Sequence, residues 1–240
     1  MSPRCALYYA PAPDTPFHAL GATWLGRDAW SRTMTSQPMV DGIAGLTGEP
    51  RRYGFHATLK APFRLAAGKS RADLSVFAAE FAGRHAPVSL PRLRLDVLDG
   101  FLALVPGGES DRLDAFAARC VMDFDGFRGP LQQDEIARRQ RSGLTARQSR
   151  LLLNWGYPHV LDQFRFHMTL SGRLGAADMA RLRPLAERHF AAVIGAPLLI
   201  DAVSIFCEAG PGAPFCAEDR FALAGRVESR WPEIWKLGVR

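Results

Sequence analysis

Two five-residue strings in this chain share one pattern, FHATL at 55–59 and FHMTL at 166–170. Each sets a histidine two residues before a threonine inside an apolar, β-prone run. Side chains alternate along a strand, so His56 and Thr58 share one face while Phe55, Ala57 and Leu59 take the other. His167 and Thr169 likewise share a face, opposite Phe166, Met168 and Leu170. Imidazole holds or donates a proton near neutral pH. Two imidazoles on opposite sides of a phosphorus permit in-line displacement: one takes the proton of attacking water, and the other protonates the leaving oxygen. The threonine hydroxyls then donate to the nonbridging phosphoryl oxygens, where transition-state charge collects. This chemistry needs no metal, cofactor or covalent nucleophile. His56, Thr58, His167 and Thr169 are the expected catalytic residues, and which histidine is acid and which is base stays open.

Neighbouring residues extend the polar face. Lys60 continues the parity of His56. Arg165 and Ser171 have the parity of His167, as does Arg173 if the strand runs past Gly172. On the first strand Leu7 is the better core residue and shares a face with Tyr9, which leaves Tyr8 for the polar side. Tyr157, like Tyr53 and Trp155, offers a ring to stack on a sugar or base. The expected substrate ligands are therefore Tyr8, Lys60, Tyr157, Arg165, Ser171 and Arg173. Arg147 and Arg150 are candidates for an anion-binding rim. Among the remaining histidines, His159 beside the Trp-Gly-Tyr-Pro turn is the one to watch. No Cys/His cluster has metal-ligand spacing, so no metal is expected.

The elements that must position these residues follow from local signals. A strand is predicted over 5–10, and a helix from an Asp14 N-cap to about residue 26. The stretch 31–52 reads as irregular, with a helical turn at 43–46. The first motif lies on a strand over 55–63, followed by a Ser70-capped helix to Arg84. Strands at 88–99 and 101–106 are joined by Asp99-Gly100, a hairpin turn pair. Ser110 caps a helix over 113–124, a basic region spans 127–150, and residues 144–154 are helical. The second motif lies on a strand over 164–172. It is followed by a helix over 176–192 and a hairpin of 198–209 with 221–227. The same order, motif strand then helix then hairpin, occurs twice. The expected fold is α+β: two pseudo-symmetric lobes, each an antiparallel sheet with packed helices, around a central groove, forming a single bilobal domain over 1–240.

The 240 residues are 48% hydrophobic and 22% charged, which is globular composition and excludes disorder over the whole chain. No apolar run approaches the roughly 18–20 residues of a membrane span. No secretory signal pattern opens the chain, so a cytoplasmic location is expected. The formal net charge is +6, nearly all of it from arginine. Arginine suits bidentate contact with phosphate, and a modest positive field draws anions. Cys5, Cys120, Cys207 and Cys216 are expected to stay reduced, although Cys207 and Cys216 could face each other across the last hairpin.

The paired strings His56-Ala57-Thr58-Leu59 and His167-Met168-Thr169-Leu170 resemble the 2H phosphoesterase superfamily, defined by two H-x-T/S motifs. The resemblance implies two α+β lobes around a groove and hydrolysis of a cyclic phosphate without cofactor. RYGFHATLKAPF at 52–63, LLNWGYPHV at 152–160 and FRFHMTLSGRL at 164–174 are similar to a narrower branch, encoded with phosphonate-degradation genes. That likeness implies a small phosphorylated ribose or nucleotide derivative as substrate. The alternatives are an RNA 2′,3′-cyclic phosphodiesterase, a 2′-5′ RNA ligase-like enzyme and a non-catalytic RNA-binding protein, so RNA stands as a second possible partner. The sequence has no G-x-x-x-x-G-K-S/T loop to support ATP-driven ligation.

Overall fold

Local signals set most of the element ends. The computed structural model describes residues 3–141 and 143–226. The first half runs β1 (Arg4–Tyr9), α1 (Pro16–Leu25), α2 (Ile43–Leu46), α3 (Gly48–Tyr53), β2 (Ala57–Arg64), α4 (Arg71–Arg84), β3 (Val88–Leu90), β4 (Leu93–Leu98) and β5 (Phe101–Pro106). The second runs α5 (Asp111–Asp123), α6 (Gln133–Gln140), α7 (Ala146–Trp155), β6 (Met168–Thr169), α8 (Ala176–His189), β7 (Leu198–Ile200), β8 (Ala202–Glu208) and β9 (Phe215–Ala222). Ser70 and Asp73 form a reciprocal capping box at the start of α4, and Thr145 and Gln148 do the same for α7. Asp99 at φ 47° and Gly100 at φ 87° give the left-handed pair that a tight β4–β5 turn needs. Thr15, rather than Asp14, caps α1, accepting from the His18 backbone N–H.

The α+β class holds, with strands and helices segregated onto a large antiparallel sheet. That sheet has seven strands in the order β4-β5-β6-β2-β1-β8-β9. The two motif strands, β6 and β2, are neighbours at its centre. On one side lie β5 and β4; on the other lie β1, β8 and β9. The sets β4-β5-β6 and β2-β1-β8-β9 join along the β2–β6 seam. Each hairpin therefore serves the other half: β4–β5 follows the first motif but flanks the second, and β8–β9 follows the second motif but lies on the side of the first. Pro91 separates β3 from β4, because proline lacks the N–H a continuous ladder requires. β3 pairs instead with β7 in a separate two-stranded sheet.

The apolar faces of both motifs enter the main core. Phe55, Ala57 and Leu59 pack there with Phe166, Met168 and Leu170, as strand alternation predicts. Over them lie Trp24 and Leu25 of α1, Leu74 and Phe81 of α4, Phe116 and Cys120 of α5, and Leu182 and Ala186 of α8. Among the described residues, no helix is long and apolar enough to cross a membrane.

Several expected boundaries move. β6 is two residues long rather than spanning 164–172; past its far end Leu102 N–H donates to the Ser171 hydroxyl instead of a strand carbonyl. The strand after β8 is centred earlier than expected, at 215–222, and Val227 lies outside the described residues. The polar segment 133–140, read only as basic sequence, forms α6. The cysteine expectation is also corrected. Cys207 does face Cys216 in the β8–β9 register, but its sulfur is bonded to Cys5. Those two are 202 residues apart in sequence, yet they are direct register partners on β1 and β8, with Cα atoms 4.2 Å apart.

Candidate active site

The β2–β6 seam brings the two motifs together. Ala57 pairs with Met168, the central residue of one motif against the central residue of the other. In an antiparallel pair that register sets His56 opposite Thr169 and Thr58 opposite His167. With Ala57 and Met168 in the core, the four polar side chains stand on the opposite face. The histidines are then diagonal neighbours, about 7–8 Å apart by strand geometry.

Both imidazoles are held in the same way. His56 Nδ1 lies 2.9 Å from the carbonyl of Gly54, and His167 Nδ1 lies 2.8 Å from the carbonyl of Arg165. A carbonyl only accepts, so each Nδ1 carries the proton and each Nε2 is left as the reactive nitrogen. The Thr58 hydroxyl is 3.2 Å from His56 Nε2 and donates to it in this tautomer. Burial pushes the His56 pKa down to about 4, opposed by the bond to Gly54 and reinforced by the charge of His167. Burial also lowers His167, against the bond to the Arg165 carbonyl. Both rings are neutral near neutral pH.

Two adjoining clefts open over this face. The larger, of about 420 Å³, is lined by Arg4, Tyr8, Tyr53, His56, Thr58, Arg139, Thr169 and Arg173, among others. The smaller, of about 260 Å³, is lined by Thr58, Asp99, Phe101, His159, Phe164, Arg165 and His167. Tyr157, Ala61 and Arg173 border both. The exposed Arg173 forms no ion pair among the described residues, so its guanidinium stands at the junction of the clefts without a carboxylate.

Other expected ligands are placed differently. Lys60 does not reach the groove. Thr58 pairs with Tyr8 but Lys60 pairs with Leu7, so Leu59 is an extra residue on β2. This bulge inverts the alternation. Lys60 turns to the core side, 3% exposed, where its ammonium meets Asp125 at 3.3 Å and donates to the Val121 carbonyl at 2.9 Å. Ala61 takes the groove-side place. Ser171 borders the larger cleft, but its hydroxyl is occupied, accepting from Leu102 N–H and donating to the Gly172 carbonyl. Tyr8 is on the predicted face yet only 1% exposed, stacked on His56 with ring centroids 3.7 Å apart. It supports the imidazole more than it meets solvent. Arg165 is exposed and paired with Asp99 at 3.1 Å. Arg147 is tied to Asp162, away from both clefts, and Trp155 is buried.

Sequence reasoning passed over Arg4, Asp99, Phe101 and Arg139 as cleft residues. Arg4 could have been found, since it has the parity of Tyr8 on β1. Arg139 carries no local signal, because α6 lacks an apolar stripe. Among the described residues, no group of three or more His, Cys, Asp or Glu is placed to hold a metal ion.

Comparison with known proteins gives two curated relatives, each about twice as long as this chain. Over 234 residues the chain is 44% identical to the "Ribose 1,5-bisphosphate phosphokinase PhnN" of Janthinobacterium sp. (strain Marseille), covering 94% of this chain and 52% of that protein. It is 34% identical over 235 residues to the protein of the same name from Laribacter hongkongensis (strain HLHK9), covering 95% and 54% respectively. The chain thus spans about half the length of the curated relatives it matches. A solved structure described as "Crystal structure of phosphoesterase" aligns over 93% of this chain and 99% of that one, with a TM-score of 0.40 and 11% identity, too remote to bear on fold or activity. A family model matches residues 58–216, from the threonine of the first motif to β9, and on that match the chain belongs to the family described as Protein of unknown function (DUF1045).

Proposed function

We propose that this protein is a metal-independent phosphodiesterase of the two-histidine type, hydrolysing a cyclic phosphate on a small phosphorylated ribose or nucleotide derivative. The observation that carries this reading is the Ala57–Met168 register, which faces each histidine with the other motif's threonine. Water attacks phosphorus from the side of one imidazole, whose Nε2 takes the proton. The bond from phosphorus to the departing ring oxygen breaks, and the other imidazole supplies the proton that this oxygen needs. Thr169 donates to a nonbridging oxygen, Thr58 does the same on turning from His56 Nε2 to the bound phosphate, and Arg173 offsets the charge on these oxygens. Both halves of the chain are needed, because the site lies on the seam between them, which fits one bilobal unit. The relatives' printed name concerns a ribose bisphosphate, which fits a sugar phosphate as substrate; a place in phosphonate metabolism rests on the resemblance of the motif strings.

The reading is tested with a panel of ribose 1,2-cyclic and nucleoside 2′,3′-cyclic phosphates, an RNA ending in a 2′,3′-cyclic phosphate among them, incubated with EDTA and followed by phosphorus NMR. Conversion of a cyclic phosphate to a phosphomonoester is expected. A second reading, phosphoryl transfer to ribose 1,5-bisphosphate, is favoured by the relatives' names alone. It predicts consumption of ATP with that sugar and no opening of any cyclic phosphate.

The pH dependence follows from the lowered histidines. A base must be neutral, which His56 is above about 4. An acid must be protonated, and burial makes each ring lose its proton below the ordinary value of 6.5. The kcat/KM profile is therefore expected to be a bell with its optimum between about 4 and 6.5, its limbs belonging to the coupled pair. An optimum in the alkaline range would contradict two buried imidazoles as acid and base.

A further inference from the structure

The larger cleft carries a second concentration of charge, apart from the histidines. In the β1–β2 register Arg4 lies opposite Arg64. Like charges directly opposed across strands repel, and here each is answered by a buried carboxylate. Arg4 grips Glu208 through Nε and Nη2 at 2.6 and 2.9 Å, while Arg64 Nη1 meets Glu135 at 3.2 Å. Each carboxylate is shared with another guanidinium, Arg52 on Glu208 at 2.9 Å and Arg139 on Glu135 at 3.2 Å. Four guanidiniums thus gather on two carboxylates, and the Arg4–Arg64 pairing sets the two groups side by side. The carboxylates aim the guanidiniums.

Arg4 and Arg139, one from each group, line the cleft beside His56, where Tyr53 and Tyr157 also stand. The Arg139 guanidinium lies over the Tyr157 ring, 4.9 Å from its centroid. The smaller cleft beside His167 shares Phe101 and Arg173 with the larger one; the arginine it holds alone, Arg165, is matched by Asp99, and Phe164 stands on its wall only.

We infer that the Arg4–Arg139 end of the cleft binds a second phosphate of the substrate, a phosphomonoester dianion separate from the cyclic phosphate between the histidines. This rests on the two-histidine reading for what the first phosphate does. Guanidinium forks from two sides fit the oxygens of such a dianion. The rest of the substrate then lies toward His167 and Phe164 of the smaller cleft. Of cyclic ribose phosphates, the class selected is the one carrying a further phosphate at its far carbon.

The test uses the 1,2-cyclic phosphate of ribose with and without a 5-phosphate, together with ribose 5-phosphate as a ligand for calorimetry. The phosphorylated cyclic compound is expected to have a kcat/KM higher by roughly 10²-fold, as for charged groups matched by a built site. Arg139→Gln, checked for folding by its melt, is expected to remove most of that preference, and Arg139→Lys to restore part of it. Ribose 5-phosphate is expected to bind the wild-type protein and to lose about tenfold in affinity in Arg139→Gln, since one charged contact is worth about 1.5 kcal/mol. Equal turnover of the two cyclic compounds would overturn the second-phosphate site and leave the two-histidine reading standing. If neither is opened, that reading fails, and calorimetry still decides the subsite: ribose 5-phosphate binding unchanged by Arg139→Gln, or absent altogether, overturns it.

Discussion

His56→Ala and His167→Ala should each reduce kcat/KM by roughly 10²–10⁴-fold, the usual worth of a positioned acid or base. Neither histidine can substitute for the other, because the seam places them diagonally and the proposed displacement needs one on each side of phosphorus. Both variants should fold. The polar face lies opposite the core, and Ala57 and Met168, which hold the register, are untouched. Thr58→Ala and Thr169→Ala should lose less, on the order of 10–10³-fold, since each removes a single donor to phosphoryl oxygen. Rates on folded protein, verified by circular dichroism and a melt, check this. A folded histidine variant with near-wild-type turnover would reduce the paired motifs to a structural repeat.

The other large effect is expected at Tyr8. Its ring is fully buried and stacks on His56. It also packs on Phe206 and Phe215, with centroids at 5.1 and 6.4 Å. Tyr8→Ala should therefore cost about 3–5 kcal/mol of stability, as large-to-small aromatic substitutions do. It should also move the acid limb of the kcat/KM profile. Water entering the space left by the ring relieves the burial that holds His56 near 4, so its pKa rises toward 6.5 and the limb shifts to higher pH. Tyr8→Phe keeps the ring and should preserve both the melt and the limb. If Tyr8→Ala lowers stability but leaves the limb in place, Tyr8 is a core residue and does not position the imidazole.

How much of this was legible in the sequence depends on how local each feature is. The faces of the motif strands followed from alternation alone, and Phe55, Ala57, Phe166 and Met168 lie where it put them. The capped start of α4 and the Asp99–Gly100 turn were equally readable, because caps and turns are decided within a few residues. The exchange of hairpins between halves was not. Which strands pair across a chain is set by tertiary packing, and β4–β5 has the same period wherever it docks. The same applies to Cys5 and Cys207, which meet only because β1 lies beside β8.

Lys60 shows a subtler failure. Its parity was counted correctly, but an extra residue at Leu59, the first of two register shifts along β2, reversed the alternation at Lys60. A bulge leaves no clear trace in apolar periodicity. Ser171 kept its parity and lost its availability to the Leu102 N–H. The arginines of the second subsite were hidden for another reason. Arg4, Arg52, Arg64 and Arg139 come from four separate elements, and their charges are shared out by Glu135 and Glu208, which no spacing rule links to them.

The central claim is a single displacement at phosphorus, with the two imidazoles on opposite sides. It is tested most directly by the stereochemistry of that step. A cyclic phosphorothioate of one configuration at phosphorus, opened by the protein in heavy-oxygen water, should give a product with inverted configuration, since water enters opposite the oxygen that leaves. Retention of configuration would require two displacements through a covalent phosphoryl-protein intermediate, and would contradict the account.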